Sequence, residues 1–276
     1  MKILSSLLII FSLQAVAADP EPMLRFWRGF VNADANETVL KDRLNKELLP
    51  ETIRVGKGKG LTAYLPALYP SQGRPRFLPV EVALVAYSSK ETYEAIRSTP
   101  EGIAYGELHF VDGMFEKKTE DGYISKSEVA VPFTGAVTLP PSTSAAQTEA
   151  VAYGIGADQI DWQKGHAFLE TLERKGATED AAISTDAAAY LTQLESFRKQ
   201  NRLMAALVLV NRKYVLSLLS FKDEAQARDF SRSSAFVPQG FSVRYGFSQT
   251  THPTQGETLE AKRLLNFSFD TGIAKD

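Results

Sequence analysis

Two distant stretches of this chain follow the same order of residue types, and that order constrains the fold more than any single motif. Val85-Ala86-Tyr87-Ser88-Ser89-Lys90-Glu91 leads into Ala95, Ile96 and Ser98, while Leu218-Leu219-Ser220-Phe221-Lys222-Asp223-Glu224 leads into Ala227, Phe230 and Ser231. Each is an apolar run, then a polar cap with lysine beside an acid, then a short amphipathic stretch. A further apolar run follows each lysine at the same interval: Val111-Asp112-Gly113-Met114-Phe115 after Lys90, and Val243-Arg244-Tyr245-Gly246-Phe247 after Lys222. Apolar runs bounded by turn residues read as strands, and stripes at a spacing of three to four read as helices.

Extending this reading fills out both halves. Met23 to Val31 clusters Leu24, Phe26, Trp27 and Phe30 as a strand, and Leu40, Leu44 and Leu48 stripe a helix over 37–49. Gly56 to Gly60 is a turn before an extended stretch, Leu61 to Tyr69, where Pro66 and Pro70 argue against a central position in a sheet. Val80 to Tyr87 is a strand, Ser88 with Glu91 has the spacing of a capping box for a helix through Ile96, and His109 to Phe115 is the next strand. In the second half, His166 to Arg174 is a strand. A helix capped by Ser184 or Thr185 runs to Gln200 with Ala187, Tyr190, Leu191, Leu194 and Phe197 on one face. Met204 to Val210 and Tyr214 to Phe221 form a hairpin about Asn211-Arg212-Lys213, Asp223 to Phe230 is a short helix, and Phe241 to Phe247 closes the unit. The tail holds a further helical stretch, Leu259 to Leu265.

Both halves thus read strand, helix, strand, strand, helix, strand, the ferredoxin-like order. The expected fold is α+β, with tandem ferredoxin-like βαββαβ units packed sheet to sheet. The expected organisation is a signal peptide at 1–18, a first unit at 19–132, a linker at 133–165 containing Pro140-Pro141-Ser142-Thr143-Ser144-Ala145-Ala146, and a second unit with a C-terminal tail at 166–276.

The leader rests on Lys2, the short apolar run Ile3 to Leu13, and the small residues Ala15-Val16-Ala17-Ala18 where a peptidase could cut. An apolar run of that length is short for a bilayer span. The sequence therefore predicts an exported soluble protein, periplasmic or secreted, without a membrane anchor. Cysteine is absent, which excludes disulfides, thiolate metal sites, thiol nucleophiles and covalent haem attachment. With 31 basic against 33 acidic residues, the near-neutral balance gives nucleic acid no electrostatic footing as a partner.

Two such units in one exported chain resemble the dimeric α+β barrel superfamily, and its chlorite dismutase-like branch in particular. Ser242-Val243-Arg244-Tyr245-Gly246, with Thr250, His252 and Glu257 beyond it, look like that branch's final strand and tail. The resemblance implies that an axial histidine should follow the hairpin of the second unit. Here Asn211-Arg212-Lys213-Tyr214 runs straight into Val215-Leu216 without one, so the resemblance supports the fold and speaks against haem chemistry.

Chemistry-bearing motifs are sparse. The three histidines, His109, His166 and His252, lie far apart in sequence and offer no helical ligand pair. No Gly-x-Ser-x-Gly elbow occurs, and neither the 56–60 glycine cluster nor Tyr153-Gly154-Ile155-Gly156 completes a phosphate or dinucleotide loop. What remains is a set of aromatic residues on the strands, and Arg244. Strict alternation would turn Arg244 away from Val243 and Tyr245, toward water or toward an enclosed cavity that needs an anion. The sequence therefore predicts a non-catalytic exported protein that binds a small ligand or a protein partner through its inter-sheet surface. The candidate contacts are Arg244, Tyr245, His109 and His166, with no metal and no cofactor. The alternative is a dimeric α+β barrel enzyme, cofactor-free or a haem-dependent oxidoreductase.

Overall fold

A computed structural model describes residues 23–31, 35–56, 58–68, 78–116, 118–119, 122–123, 127–130, 151–157, 166–174, 180–211, 213–232 and 241–249. The leader 1–18, the Pro140–Ala146 stretch, His252 and the expected tail helix lie outside these residues. The first unit runs β1 (Met23–Gly29), α1 (Glu37–Arg43), a π-helical turn (Leu44–Leu48), α2 (Leu49–Gly56), β2 (Leu61–Leu68), β3 (Glu81–Tyr87), α3 (Lys90–Arg97) and α4 (Pro100–Leu108). A 3₁₀ turn (Val111–Gly113), the small pair β4 (Lys118–Thr119) and β5 (Gly122–Tyr123), and β6 (Ser127–Ala130) follow. The second unit holds β7 (Val151–Ile155), β8 (His166–Arg174), α5 (Asp180–Lys199), β9 (Ala205–Val210), β10 (Tyr214–Phe221), α6 (Glu224–Arg232) and β11 (Phe241–Gln249).

The strands order as β11-β8-β10-β9-β7-β6-β1-β3-β2 in one sheet among the described residues. Within it, β6-β1-β3-β2 and β11-β8-β10-β9 each place the fourth strand beside the first and the third beside the second. Their neighbours are all antiparallel. That is the ferredoxin-like order in both units. Among the described residues only β6 and β7 pair in parallel, and they join the sheets of the two units into the continuous one.

Four sequence expectations are corrected here, the first being the start of α5, which begins at Asp180 and so holds Ser184 and Thr185 within the helix instead of at its cap. The fourth strand of the first unit is Ser127–Ala130, because residues 109–115 cap α4 and then form a 3₁₀ turn with Asp112 at φ 53°. Val111 and Phe115 look strand-like in composition, but the α3–α4 break has already taken the chain back across the sheet. Inside the stretch 133–165 read as linker, Val151–Ile155 is a strand that extends the second sheet beside β9. The cap of α3 is Ser89, whose side chain accepts from Thr92 N, one residue later than the expected Ser88. By contrast β2, with its prolines, is an edge strand as expected.

Alternation along the strands builds the layers. Leu24 and Phe26 of β1 and Val82, Leu84 and Ala86 of β3 pack against Leu207 and Leu209 of β9 and Leu216 and Leu218 of β10, all buried. The two sheets therefore meet through an apolar core. Arg28 is buried in the same layer, and its Nη1 donates to Tyr214 OH across the interface at 3.0 Å. The opposite faces carry the helices. No helix among the described residues is long and apolar enough to cross a membrane.

Candidate functional site

The inter-sheet space expected to hold a ligand is occupied by that core, so the site must be sought elsewhere. It lies on the helix-covered face of the first unit. Strand alternation turns Arg25 and Trp27 of β1 and Val85 and Tyr87 of β3 to this face, and Tyr64 of β2 joins them. The roof comes from Tyr93 and Arg97 of α3 and from Tyr105, Gly106 and His109 at the end of α4. These residues enclose a cavity of about 100 Å³. On the scale where one water takes about 10–15 Å³, that is room for roughly seven to ten water-sized groups, enough for a one- or two-ring organic molecule.

The roof is open because the chain breaks there. Ser98 accepts its place as C-cap of α3, and Thr99 immediately caps α4 by accepting from Gly102 N at 3.0 Å, with Pro100 at the first helical position. Two short helices with a break between them cannot seal a sheet face as one long helix does. Gly106 lets Arg97 lie across α4: a Cβ there would stand 2.3 Å from Arg97 Nη1.

Polar groups around the cavity fall into two sets. The first is internally satisfied. Glu81 is buried behind the wall and accepts from Trp27 Nε1 and Tyr64 OH, both at 2.9 Å. Burial pushes its carboxyl up to about 7 against the pull of these two donors. Thr52 Oγ1 donates to Leu48 O at 2.7 Å, so in its 2.6 Å contact with Tyr105 OH the phenol donates. Burial raises the phenol of Tyr105, and that of Tyr87 to about 12, so both stay neutral donors. His109 Nδ1 lies 2.8 Å from Tyr105 O, and a carbonyl only accepts, which assigns the hydrogen to Nδ1. Its ring meets Trp27 edge-on at 5.0 Å and Tyr105 at 4.7 Å.

The second set is Arg25. Its guanidinium carbon stands 4.3 Å from the centroid of the Tyr93 ring, and its Nε and Nη1 are buried without a hydrogen-bond partner. Arg97 is the other arginine of the wall, and neither Asp nor Glu lines the cavity.

Of the residues expected from sequence, His109 is in this wall, carried there by α4 instead of by a strand. His166 opens β8 opposite Phe221, in the other unit. Arg244 and Tyr245 lie on β11, where the register with β8 shifts between Val243 and Tyr245. Strict alternation, the basis for reading Arg244 outward from its neighbours, is broken at that irregularity. The side chains of His166, Arg244 and Tyr245 lie outside the described ones, as do Thr250 and Glu257. The structure thus brings His109 together with Arg25, Arg97 and the tyrosines, none of which was singled out from the sequence as a site except His109. A usable signal was present: Arg25 and Arg28 are the charged residues of an otherwise apolar and aromatic strand, and their odd spacing of three puts them on opposite faces. Among the described residues no group of three or more His, Asp or Glu side chains could hold a metal ion.

No protein-family model matches the chain. No curated protein matches it either. Solved structures to which the chain is similar include a "putative monooxygenase" from Fusobacterium nucleatum subsp. nucleatum, 11% identical over 84% of this chain and 93% of that one, with a TM-score of 0.41. An anthrone oxidase-like protein is 9% identical over 88% and 96%, with a TM-score of 0.41. A "putative monooxygenase" from Lactobacillus acidophilus is 9% identical over 87% and 100%, with a TM-score of 0.35. The α+β assignment stands on the strand order above.

Proposed function

We propose that this protein binds a small, ring-bearing ligand in the helix-side cavity of its first unit. The observation that carries the reading is the cavity itself: its walls are largely aromatic, Trp27, Tyr64, Tyr105 and His109 have their polar atoms engaged within the protein, and it opens beneath a break between helices. Pre-formed concave sites of this composition are where small molecules bind. The binding surface is therefore the outer face of the first sheet, not the inter-sheet surface.

Titration calorimetry with a two-ring aromatic tests it. We expect one-to-one binding to the wild-type chain and its loss in Val85→Trp, which fills the cavity from a half-buried wall position. Absence of binding by wild type, or undiminished binding by Val85→Trp, would refute the reading.

A second reading, turnover of the bound molecule, has His109 in its favour, because an imidazole with a fixed tautomer stands in the wall. Under it, His109→Gln lowers kcat on a turned-over substrate with little change in KM. The likeness of residues 242–257 to the chlorite dismutase-like branch adds nothing to either reading. Export belongs to the proposal too. Protein from the native host is expected to begin near Ala18 or Asp19 by mass spectrometry, and an intact Met1 would remove the periplasmic or secreted setting.

A further inference from the structure

Taking the ligand-binding reading as its basis, we infer that the cavity selects an aromatic monoanion, and that Arg25 is the residue that decides the charge. The inference starts from an imbalance. Buried polar groups in folded proteins are almost always partnered, and an orphaned charged donor is the exception that needs a reason. Arg25 has two such nitrogens, Nε and Nη1. Its one described contact, over the Tyr93 ring at 4.3 Å, engages the flat face of the guanidinium and leaves the N–H groups at its edge unused.

None of the side chains that line the cavity is acidic, and Glu128, opposite Arg25 in the β1–β6 register, has its side chain outside the described ones. Arg97 adds a second cation to the lining. Glu81, one layer behind, is held by Trp27 and Tyr64 through both of its oxygens. A low-dielectric cavity with guanidinium groups and no acid attracts an anion, and guanidinium edges match planar oxyanions such as carboxylate or phenolate.

The rest of the wall sets the remainder of the ligand. Tyr87, Tyr93, Tyr105 and Phe110 present rings, so the charged group must be attached to a flat apolar body. A small multiply charged ion such as phosphate would leave those rings unmatched. Arg97 reaches the lining only because Gly106 leaves space for it, which makes the second cation part of the built site.

Two molecules of the same ring system separate this inference from the reading beneath it: 2-naphthoate, an anion, and 2-naphthalenemethanol, neutral and nearly the same shape. Both are titrated calorimetrically into the full chain at pH 7. We expect naphthoate to bind at least about tenfold more tightly than the alcohol, the scale of one charged hydrogen bond. In Arg25→Met, which keeps the unbranched stem, that preference should shrink to about threefold or less while the alcohol binds as before. Equal binding of the two molecules to wild type would overturn the charge selection and leave the cavity reading standing. No binding of either would overturn both. A preference that survives in Arg25→Met would take the role from Arg25. The wild-type ratio stands as a test even should the variant fail to fold.

Discussion

The two units share a strand order, yet each answers differently the question of what to do with an ionisable residue on the helix-facing side of its first strand. In the second unit that residue is Glu170 on β8. The long, unbroken α5 brings Tyr190 over it, whose OH donates to Glu170 Oε2 at 2.6 Å and lies 3.0 Å from Ser217 Oγ. Phe168, Phe197, Phe221 and Phe230 close the layer around this trio, with Phe221 and Phe230 ring centroids 5.2 Å apart. In the first unit the residue is Arg25 on β1. The helices above it are short and broken at Ser98-Thr99, and its donors meet a cavity. A filled layer maximises stability, whereas an unfilled one with an orphaned charge gives up stability and keeps a place for a ligand.

Truncations should expose this contrast most strongly. Phe168→Ala, in the filled layer, is expected to lower unfolding free energy by about 3–5 kcal/mol. Tyr93→Ala, on the cavity wall, should cost about 1 kcal/mol or less, since its ring is only half-buried and borders empty space. Urea denaturation checks both. Equal losses would mean that the first unit is as tightly packed as the second.

Buried carboxyls supply the next largest effect, and here the two units behave alike. Glu81 and Glu170 are both pushed up to about 7 by burial, which outweighs the donors that each accepts from. A folded-state value above the unfolded one means that the folded protein holds the proton more tightly. The associated stability is complete below about pH 4.5 and is lost as pH rises to about 7. Each residue should therefore remove on the order of 3 kcal/mol between pH 5 and pH 8, and Glu81→Gln or Glu170→Gln should each abolish its own share of the fall. A flat profile in wild type would show that neither carboxyl is as desolvated as the packing implies.

Smaller, and opposite in sign, is the expected effect of removing the orphaned charge. Arg25→Met should raise stability by about 1 kcal/mol, because it deletes unpartnered buried donors and keeps the apolar stem. In the second unit, deleting the phenol that satisfies Glu170, as in Tyr190→Phe, should destabilise by a similar or larger amount. Opposite signs at the two matched places sharpen the comparison; a loss of stability in Arg25→Met would mean that the charge is satisfied in the folded protein.

How far the sequence displayed this difference follows from the kind of signal involved. The strand pattern was legible because burial on both faces leaves long apolar runs, as in β9 and β10, where every described position is buried. Pro66 in β2 correctly pointed to an edge. Less legible was α4: Thr99-Pro100-Glu101 carries an N-cap and a first-turn proline, but Val111 to Phe115 beyond it has strand composition. Choosing the strand there displaced the fourth strand from Ser127–Ala130. The leucines 40, 44 and 48 were read as one α-helix, and the chain accommodates their strict four-residue spacing with a π-helical turn, closed by Leu49 N–H to Leu44 O. His109 stands out in the sequence by its rarity, whereas Arg25 does not, because a cation in a strand is ordinarily an outward one and β1 carries a second, Arg28. Only the placement of two short helices over β1 shows that Arg25 is enclosed.

Nuclear magnetic resonance titration of the ¹⁵N-labelled protein with 2-naphthoate tests the central claim most directly, since it reports which unit receives the ligand. The account predicts that shifted amides cluster on β1 around Arg25, on β3 around Val85 and Tyr87, and along α3 and α4. Amides of β8, β10, α5 and α6 should stay in place. Shifts centred on the second unit, or on inter-sheet residues such as Leu84 and Leu207, would contradict it.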